Sequence, residues 1–352
     1  CDAKVMGYFQ LCNIFAKKIF PQMRIVGLGN ALTDVLARLH SDSCFEEMGL
    51  LKGGMQLIDE ERLLKIMAVF EGLETTLASG GSAANAVSGV TRMGVSGGFI
   101  GKIGRDAYGR FFREDMERNG VKTSLIESDQ ASGCAMTLIT PDGERTFGTF
   151  LGAASTLSAD ELTPEMFAGY DLLHIEGYLV QDEALILRAV QLAKELGLQV
   201  SFDMASYNVV KENYAIIRTL VENYVDILFA NEEEAMAYTG EEPRQAVETL
   251  ARCCRIAVVK CGAQGSFVGC GDSIVEVPAT PEVRIDSTGA GDLYASGFLY
   301  GLSQHCSLYV CGEIGSLLAG RVIKVIGTKM SDEIWAEIKL KVAALIAGDR
   351  SH

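Results

Sequence analysis

The residues of this chain best suited to chemistry stand in one run, Asp286-Ser287-Thr288-Gly289-Ala290-Gly291-Asp292. Gly289, Ala290 and Gly291 carry almost no side chain, so at the mouth of a helix they expose consecutive backbone N–H groups, and the helix dipole adds positive potential there. Such a place binds an anion. A carboxylate in the first helical turn, Asp292, would lie beside that anion and could take a proton from a hydroxyl as the hydroxyl attacks phosphorus. Ser287 or Thr288 could instead cap the helix while Asp292 complements its dipole. Capping alone, however, does not need Gly-Ala-Gly between two aspartates.

Other polar residues gather at element boundaries. Gly80-Gly81 precedes a helical pattern and permits backbone conformations closed to other residues, which suits a hinge or the close approach of a ligand, and equally an ordinary helix-start turn. Asn231 and Glu234 lie one helical turn apart at the end of a strand. They could both face a hydrated Mg²⁺, or they could form a solvated acidic helix start with Glu232 and Glu233. Several familiar chemistries are absent. Gly27-x-Gly29 has Leu32 where a dinucleotide fingerprint needs a third glycine, and Gly101-Lys102 is followed by Ile103 rather than Ser or Thr, with no glycine at position 96. No HExxH or GxSxG occurs, and His174, inside an apolar strand, reads as a core residue rather than a base.

These residues need a scaffold. Short apolar runs at Arg24 to Leu28, Gly98 to Ile103, Leu172 to Ile175, Val200 to Asp203, Ile227 to Ala230 and Ile256 to Lys260 alternate with helical segments, including Ser82 to Met93, Glu183 to Leu196 and Tyr207 to Tyr224. That alternation specifies an α/β fold, a doubly wound and mainly parallel sheet flanked by helices. After Pro281 the pattern becomes almost continuous helix. Residues 33–58 and 121–151 break the rhythm with strand-like runs and turns, and are expected to form a small separate sheet that acts as a lid. A convincing first strand begins only at Met23, so residues 1–22 are expected to be an N-terminal extension without a chemical role, and residues 23–348 a single α/β domain.

Composition narrows the partners. With 46 acidic against 31 basic residues the net charge is −15, and no basic cluster offsets it, so nucleic acid and anionic lipid are not expected partners. No apolar run approaches the roughly 20 residues of a membrane helix. The ten cysteines include no CxxC and read as reduced thiols packed as small hydrophobes, in keeping with a cytoplasmic location.

The Gly289-Ala290-Gly291-Asp292 segment resembles the GAGD signature of the ribokinase, or PfkB carbohydrate kinase, family. Gly80-Gly81-Ser82-Ala83-Ala84-Asn85 resembles a second element, and Asn231-Glu232-Glu233-Glu234 is similar to the family's Asn-x-x-Glu motif. The likeness runs from Met23 to about Ile346. It implies a ribokinase-like fold and an ATP- and Mg²⁺-dependent kinase, with Asp292 as base and the Gly289, Ala290 and Gly291 amides at the transferred phosphoryl. It also implies Asn85 as a substrate-hydroxyl ligand, and Asn30 and Asp34 as the sugar-binding entrance. Their spacing is similar to that of adenosine kinases, which favours an adenosine-like nucleoside. Arg145, on the presumed lid turn, is expected to swing over the phosphoryl or to be an exposed turn arginine. Lys260, Gly262 and Gly265 are expected to line the ATP site, and Asp286 with Thr288 to hold a monovalent cation such as K⁺, as similar positions do in some relatives. The lid strands could pair between two chains in a homodimer. The rival readings are a kinase of a free sugar or phosphosugar, for which Arg38, Lys52 or Arg105 would have to meet the extra phosphate, and a non-catalytic nucleoside sensor.

Overall fold

The computed structural model describes residues 23–41, 45–142 and 144–350, so the expectation for residues 1–22 lies outside the described residues. Strands β1 (Ile25–Leu28), β2 (Leu32–Arg38), β3 (Met55–Leu57), β4 (Thr75–Gly80), β5 (Gly97–Gly104), β6 (Val121–Ser128) and β7 (Gly133–Ile139) are followed by β8 (Arg145–Phe150) and β9 (Leu172–Glu176). After them come β10 (Gln199–Asp203), β11 (Ile227–Asn231), β12 (Ile256–Lys260), β13 (Ser266–Cys270) and β14 (Ser273–Val277). Nine of them form one sheet in the order β14-β13-β12-β11-β10-β9-β1-β5-β6, parallel from β6 through β12 and antiparallel from β12 to β14.

The central strands are apolar on both faces, as a sheet covered by two helical layers requires: β1 is Ile-Val-Gly-Leu and buried throughout. One face packs on the helices Glu183–Glu195, Tyr214–Asn223 and Pro243–Cys253, the other on Ser82–Arg92, Ala290–Ser303, Leu308–Val322 and Asp332–Asp349. The helix expected from Tyr207 to Tyr224 is broken at Asn213, which is C-cap to one short helix and N-cap to the next. Among the described residues no helix is long and apolar enough to cross a membrane.

The second sheet, in the order β3-β8-β7-β2-β4, is the small sheet the sequence anticipates, with different membership. Residues 121–128 were expected in it, yet β6 pairs in parallel with β5 over its whole length and closes the edge of the large sheet. β4 takes its place, pairing antiparallel with β2. Alternation along β2 explains how this sheet is used: Val35 and Ala37 point into an apolar core shared with Leu63, Ile66 and Phe70 of the helix Glu60–Phe70, so Leu32 and Asp34 face the opposite side, toward the large domain.

Candidate active site

The parallel strands deliver the polar residues of the site. β9 ends on Glu176, β10 on Asp203, β11 on Asn231 and β12 on Lys260, each a largely buried strand closed by a polar residue, and β1 is followed at once by Gly29 and Asn30. All five polar residues therefore sit at the carboxyl edge of the sheet, next to the point where β1 lies between β5 and β9 and the chain direction of winding reverses. Together with Gly289–Asp292 and with Leu32, Met55, Leu57 and Thr149 of the small sheet, they line a cleft of about 1620 Å³.

At the floor of the cleft Asp292 is held from both sides. Its Oδ1 accepts from Ser82 Oγ at 2.7 Å and its Oδ2 from Asn85 Nδ2 at 2.9 Å, while Asn85 Oδ1 accepts from Thr328 Oγ1 at 3.1 Å and so fixes the amide's orientation. Burial pushes the Asp292 pKa upward, and the two donors pull it back, leaving it above the ordinary aspartate value. Gly289, in the left-handed region at φ 73°, is the N-cap of the helix. The amides of Gly289, Gly291 and Asp292 have no protein partner among the described residues. The Ala290 amide does: it donates to the Ser287 carbonyl at 3.2 Å, which removes it from the three expected anion donors. The helix turn tightens there.

Another corner of the cleft is built around Gly80 and Gly81. Gly81 adopts φ +97°, and a Cβ there would fall 2.1 Å from the Asn30 carbonyl oxygen, so this turn brings the end of β4 onto the end of β1 only because it is glycine. A Cβ on Gly80 would likewise collide with the Asp34 carboxylate. Burial, reinforced by the charge of Asp292 and opposed by Lys329, raises the Asp34 carboxyl to about 7. Lys329 reaches this corner through a hydrogen bond to Ser79 Oγ at 2.8 Å and an ion pair with Asp115 at 3.3 Å. Asn30 and Gly81 line the cleft directly, whereas Asp34, Gly80 and Asn85 stand just behind its wall.

Two residues of the site escape motif-based reasoning, and a third, Ser82, lies within a motif that assigns it no role. Glu176, 1% exposed, accepts from Asn30 N at 2.8 Å, Asn30 Nδ2 at 2.6 Å and Ala83 N at 3.0 Å, and burial raises its pKa to about 7. It ties the end of β1 to the first turn of the helix that carries Ser82 and Asn85. Asp203 binds Lys260 Nζ at 2.9 Å, and Ser82 binds Asp292. The signal available for Glu176 and Asp203 is their position as the carboxylate that ends a buried strand.

Asn231 and Glu234 form a capping box: Glu234 N donates to Asn231 Oδ1 at 2.8 Å, and the Glu234 carboxylate accepts from Asn231 N and Nδ2, each at 2.7 Å. The alternative of a solvated helix start does not hold for Glu234, which is 2% exposed and carried to a pKa of about 7 by burial and by the neighbouring Asp203 charge. Gly262 and Gly265 line the cleft beside Lys260. Arg145 is not over the anion site. Its guanidinium forms an ion pair with Asp286, whose carboxylate also accepts from Thr288 N at 3.0 Å, Thr288 Oγ1 at 2.8 Å and Gly327 N at 2.7 Å. Buried opposite charges find one another there, so the expected free cation is committed to the anion loop's own support. His174 is a core residue: its Nδ1 lies 3.0 Å from Ser201 Oγ, and burial lowers its pKa to about 4.

The comparisons with known proteins agree with this geometry. The chain from residue 54 to 335 matches the profile of the pfkB family of carbohydrate kinases. It is 29% identical over 246 residues to an uncharacterized sugar kinase from Archaeoglobus fulgidus, covering 68% of this chain and 96% of that protein. Among solved structures it is similar to a probable sugar kinase from Rhizobium etli, at 30% identity and a TM-score of 0.81 over 92% of this chain and 99% of that one. It is likewise similar to the adenosine kinase from Sinorhizobium meliloti, at 32% identity and a TM-score of 0.80 over 91% of this chain and 99% of that one. This chain belongs to the pfkB family of carbohydrate kinases, and it is a phosphotransferase acting on an alcohol group of a sugar or nucleoside.

Proposed function

We propose that the protein transfers the γ-phosphoryl group of ATP to the primary hydroxyl of a ribose-bearing nucleoside. The observation that carries this is the placement of Asp292, whose half-buried carboxylate lies between the glycine-lined helix mouth on one side and the Asn30–Asp34 corner on the other. A hydroxyl presented from that corner would reach Asp292, and the phosphoryl it attacks would rest against the amides of Gly289, Gly291 and Asp292. Asp292 takes the hydroxyl proton, and the N–H groups meet the charge on the equatorial oxygens. Ser82 and Asn85 keep the carboxylate aimed and partly offset the burial that would otherwise keep it protonated.

The chemistry of the lining supports a nucleoside over a phosphosugar. Lys52 is bound to Asp142 at 2.6 Å and Arg105 to Asp129 at 2.6 Å, and neither they nor Arg38 line the cleft. The acceptor end instead shows Leu32, Met55, Leu57, Leu151, Leu157 and Leu179, an apolar wall suited to a base rather than to a second phosphate. Asn30 and the Asp34 carboxylate suit the vicinal hydroxyls of a ribose.

For the divalent cation that accompanies ATP, the donor set fits. Glu234 is a buried carboxylate on the cleft wall whose ionisation is opposed by Asp203, a situation a nearby divalent charge relieves. A Mg²⁺ accompanying ATP would be held mainly by water and phosphate, with one carboxylate in support. Asn231 and Glu234 would provide that support, and the ion would neutralise phosphate charge. A monovalent cation at Asp286 and Thr288 is left out of this reading, because the Arg145 guanidinium already supplies positive charge there. The test is a panel of nucleosides, free sugars and phosphosugars, with ADP release and product mass as readouts. Turnover with nucleosides is expected, and preferential turnover of fructose 6-phosphate or ribose would overturn the assignment of acceptor.

A further inference from the structure

The cleft is poorly matched to the charge of its donor substrate. Among the described residues that line it, eight are carboxylates and only two are cations, Lys260 and Arg284. Arg284 lies between Val283 and Ile285, 82% and 60% exposed, on the solvent rim of the cleft. Arg145, the cation that motif reasoning favours, is bound to Asp286 and does not line the cleft. Lys260 is different. Its side chain is 14% exposed, it enters from the end of β12, and its Nζ is so close to the helix mouth that a Cβ added to Gly291 would lie 3.2 Å from it. A cation beside Gly291 is therefore at the anion site itself.

We infer that Lys260 is a catalytic residue of the phosphoryl transfer, its ammonium being held ready by Asp203 and donating to a non-bridging oxygen of the transferring group. The inference rests on the kinase reading of this cleft. In the step, the bond from phosphorus to the ADP oxygen breaks, the bond from phosphorus to the acceptor oxygen forms, and the acceptor's proton passes to Asp292. Lys260 keeps its proton and contributes charge alone. Asp203, Glu234 and Asp292 all favour the charged ammonium and outweigh its burial, so it stays cationic across the working pH range. The 2.9 Å contact with Asp203 gives it a compensated resting position, from which a short movement exchanges one anion for another.

Removing Lys260 alone would strand the buried Asp203, so the test compares Asp203→Asn with the double variant Lys260→Met/Asp203→Asn, in which the direct partner of the ammonium is neutralised with it. If Lys260 served only to neutralise Asp203, the two would behave alike. The expected result is a kcat lower in the double variant than in Asp203→Asn by roughly 10²–10³-fold, the usual loss for one transition-state donor, with the acceptor KM within threefold. Titration calorimetry supplies a readout that needs no acceptor. Affinity for a non-hydrolysable ATP analogue should fall at least tenfold while affinity for ADP changes less than threefold. A double variant within fivefold of Asp203→Asn in kcat, or one that weakens ADP and the analogue equally, overturns the role of Lys260. A wild-type chain that binds nucleotide normally but phosphorylates nothing in the panel overturns the kinase reading instead.

Discussion

Replacing Glu176 with Gln tests the architecture at a residue that makes no contact with the transferred group. The carboxylate receives three N–H donors, two from Asn30 and one from Ala83. A glutamine can keep its carbonyl oxygen on Asn30 only by turning its NH₂ toward the Ala83 amide, donor against donor. Loss of one hydrogen bond to a charged acceptor costs about 1.5–3 kcal/mol, which at 1.36 kcal/mol per decade corresponds to roughly 10–150-fold. Because Asn30 and the Ser82 turn both move, the loss should appear in kcat/KM for the acceptor rather than in ATP affinity. The pH dependence makes the prediction specific. Glu176 carries its charge only above a pKa of about 7, so at pH 8 the wild type has the ionised acceptor and at pH 5.5 only about 3% of it does. The ratio of wild type to Glu176→Gln, on the order of 30 at pH 8, should therefore collapse toward unity at pH 5.5. Asp34 and Asp292 titrate in both proteins and cancel from the ratio. Steady-state kinetics at five pH values decide it. A ratio that stays constant from pH 8 to 5.5 would show that the Glu176 charge does not organise the acceptor site.

Asp292→Asn should fold and bind ATP while losing kcat by roughly 10³-fold or more, since an amide cannot take the hydroxyl proton; near-normal turnover refutes the base. Gly81→Ala should be strongly destabilising, because the added methyl meets φ +97° and the Asn30 carbonyl oxygen, and a soluble variant with unchanged melting temperature would contradict the turn geometry. Unliganded protein should be more stable at pH 5.5 than at pH 8. Asp34, Glu176 and Glu234, each raised to about 7, bind protons in the folded state that the unfolded chain has released, and His174, lowered to about 4, opposes them by one. Stability is thus lost as pH rises toward 7, and a melting temperature that climbs over this range would refute it.

Much of the fold is legible because burial on two faces leaves a plain record: β1, β11 and β12 are uninterrupted apolar runs, and each has the length of a strand. The membership of the small sheet is less legible. β6 reads Val-Lys-Thr-Ser-Leu-Ile-Glu-Ser, half-buried along most of its length, as suits an edge strand of the large sheet as well as a lid strand. Only the pairing partner distinguishes the two, and that partner, β5, lies across a helix in the sequence. β4, Thr-Thr-Leu-Ala-Ser-Gly, is hidden for the same reason: three of its six residues are exposed.

The site divides along a similar line. Gly289-Ala290-Gly291-Asp292 and Asn231 to Glu234 are local devices, so their residues announce themselves by spacing. Glu176, Asp203 and Ser82 work through partners 146, 57 and 210 positions away, and no local pattern can carry that information. Arg145 shows the consequence for charge. A lone arginine in a lid turn looks available for phosphate, but Asp286 lies in the anion loop 141 residues later, and a buried carboxylate with three N–H and O–H donors and a guanidinium is a complete structure by itself. This pair links the small sheet to the loop that precedes Gly289, and is expected to tie the position of that sheet to the shape of the loop. Arg145→Gln should therefore raise KM for ATP and acceptor together, because both sites share the link, whereas an arginine acting on the phosphoryl would lower kcat alone; that second outcome would refute the coupling.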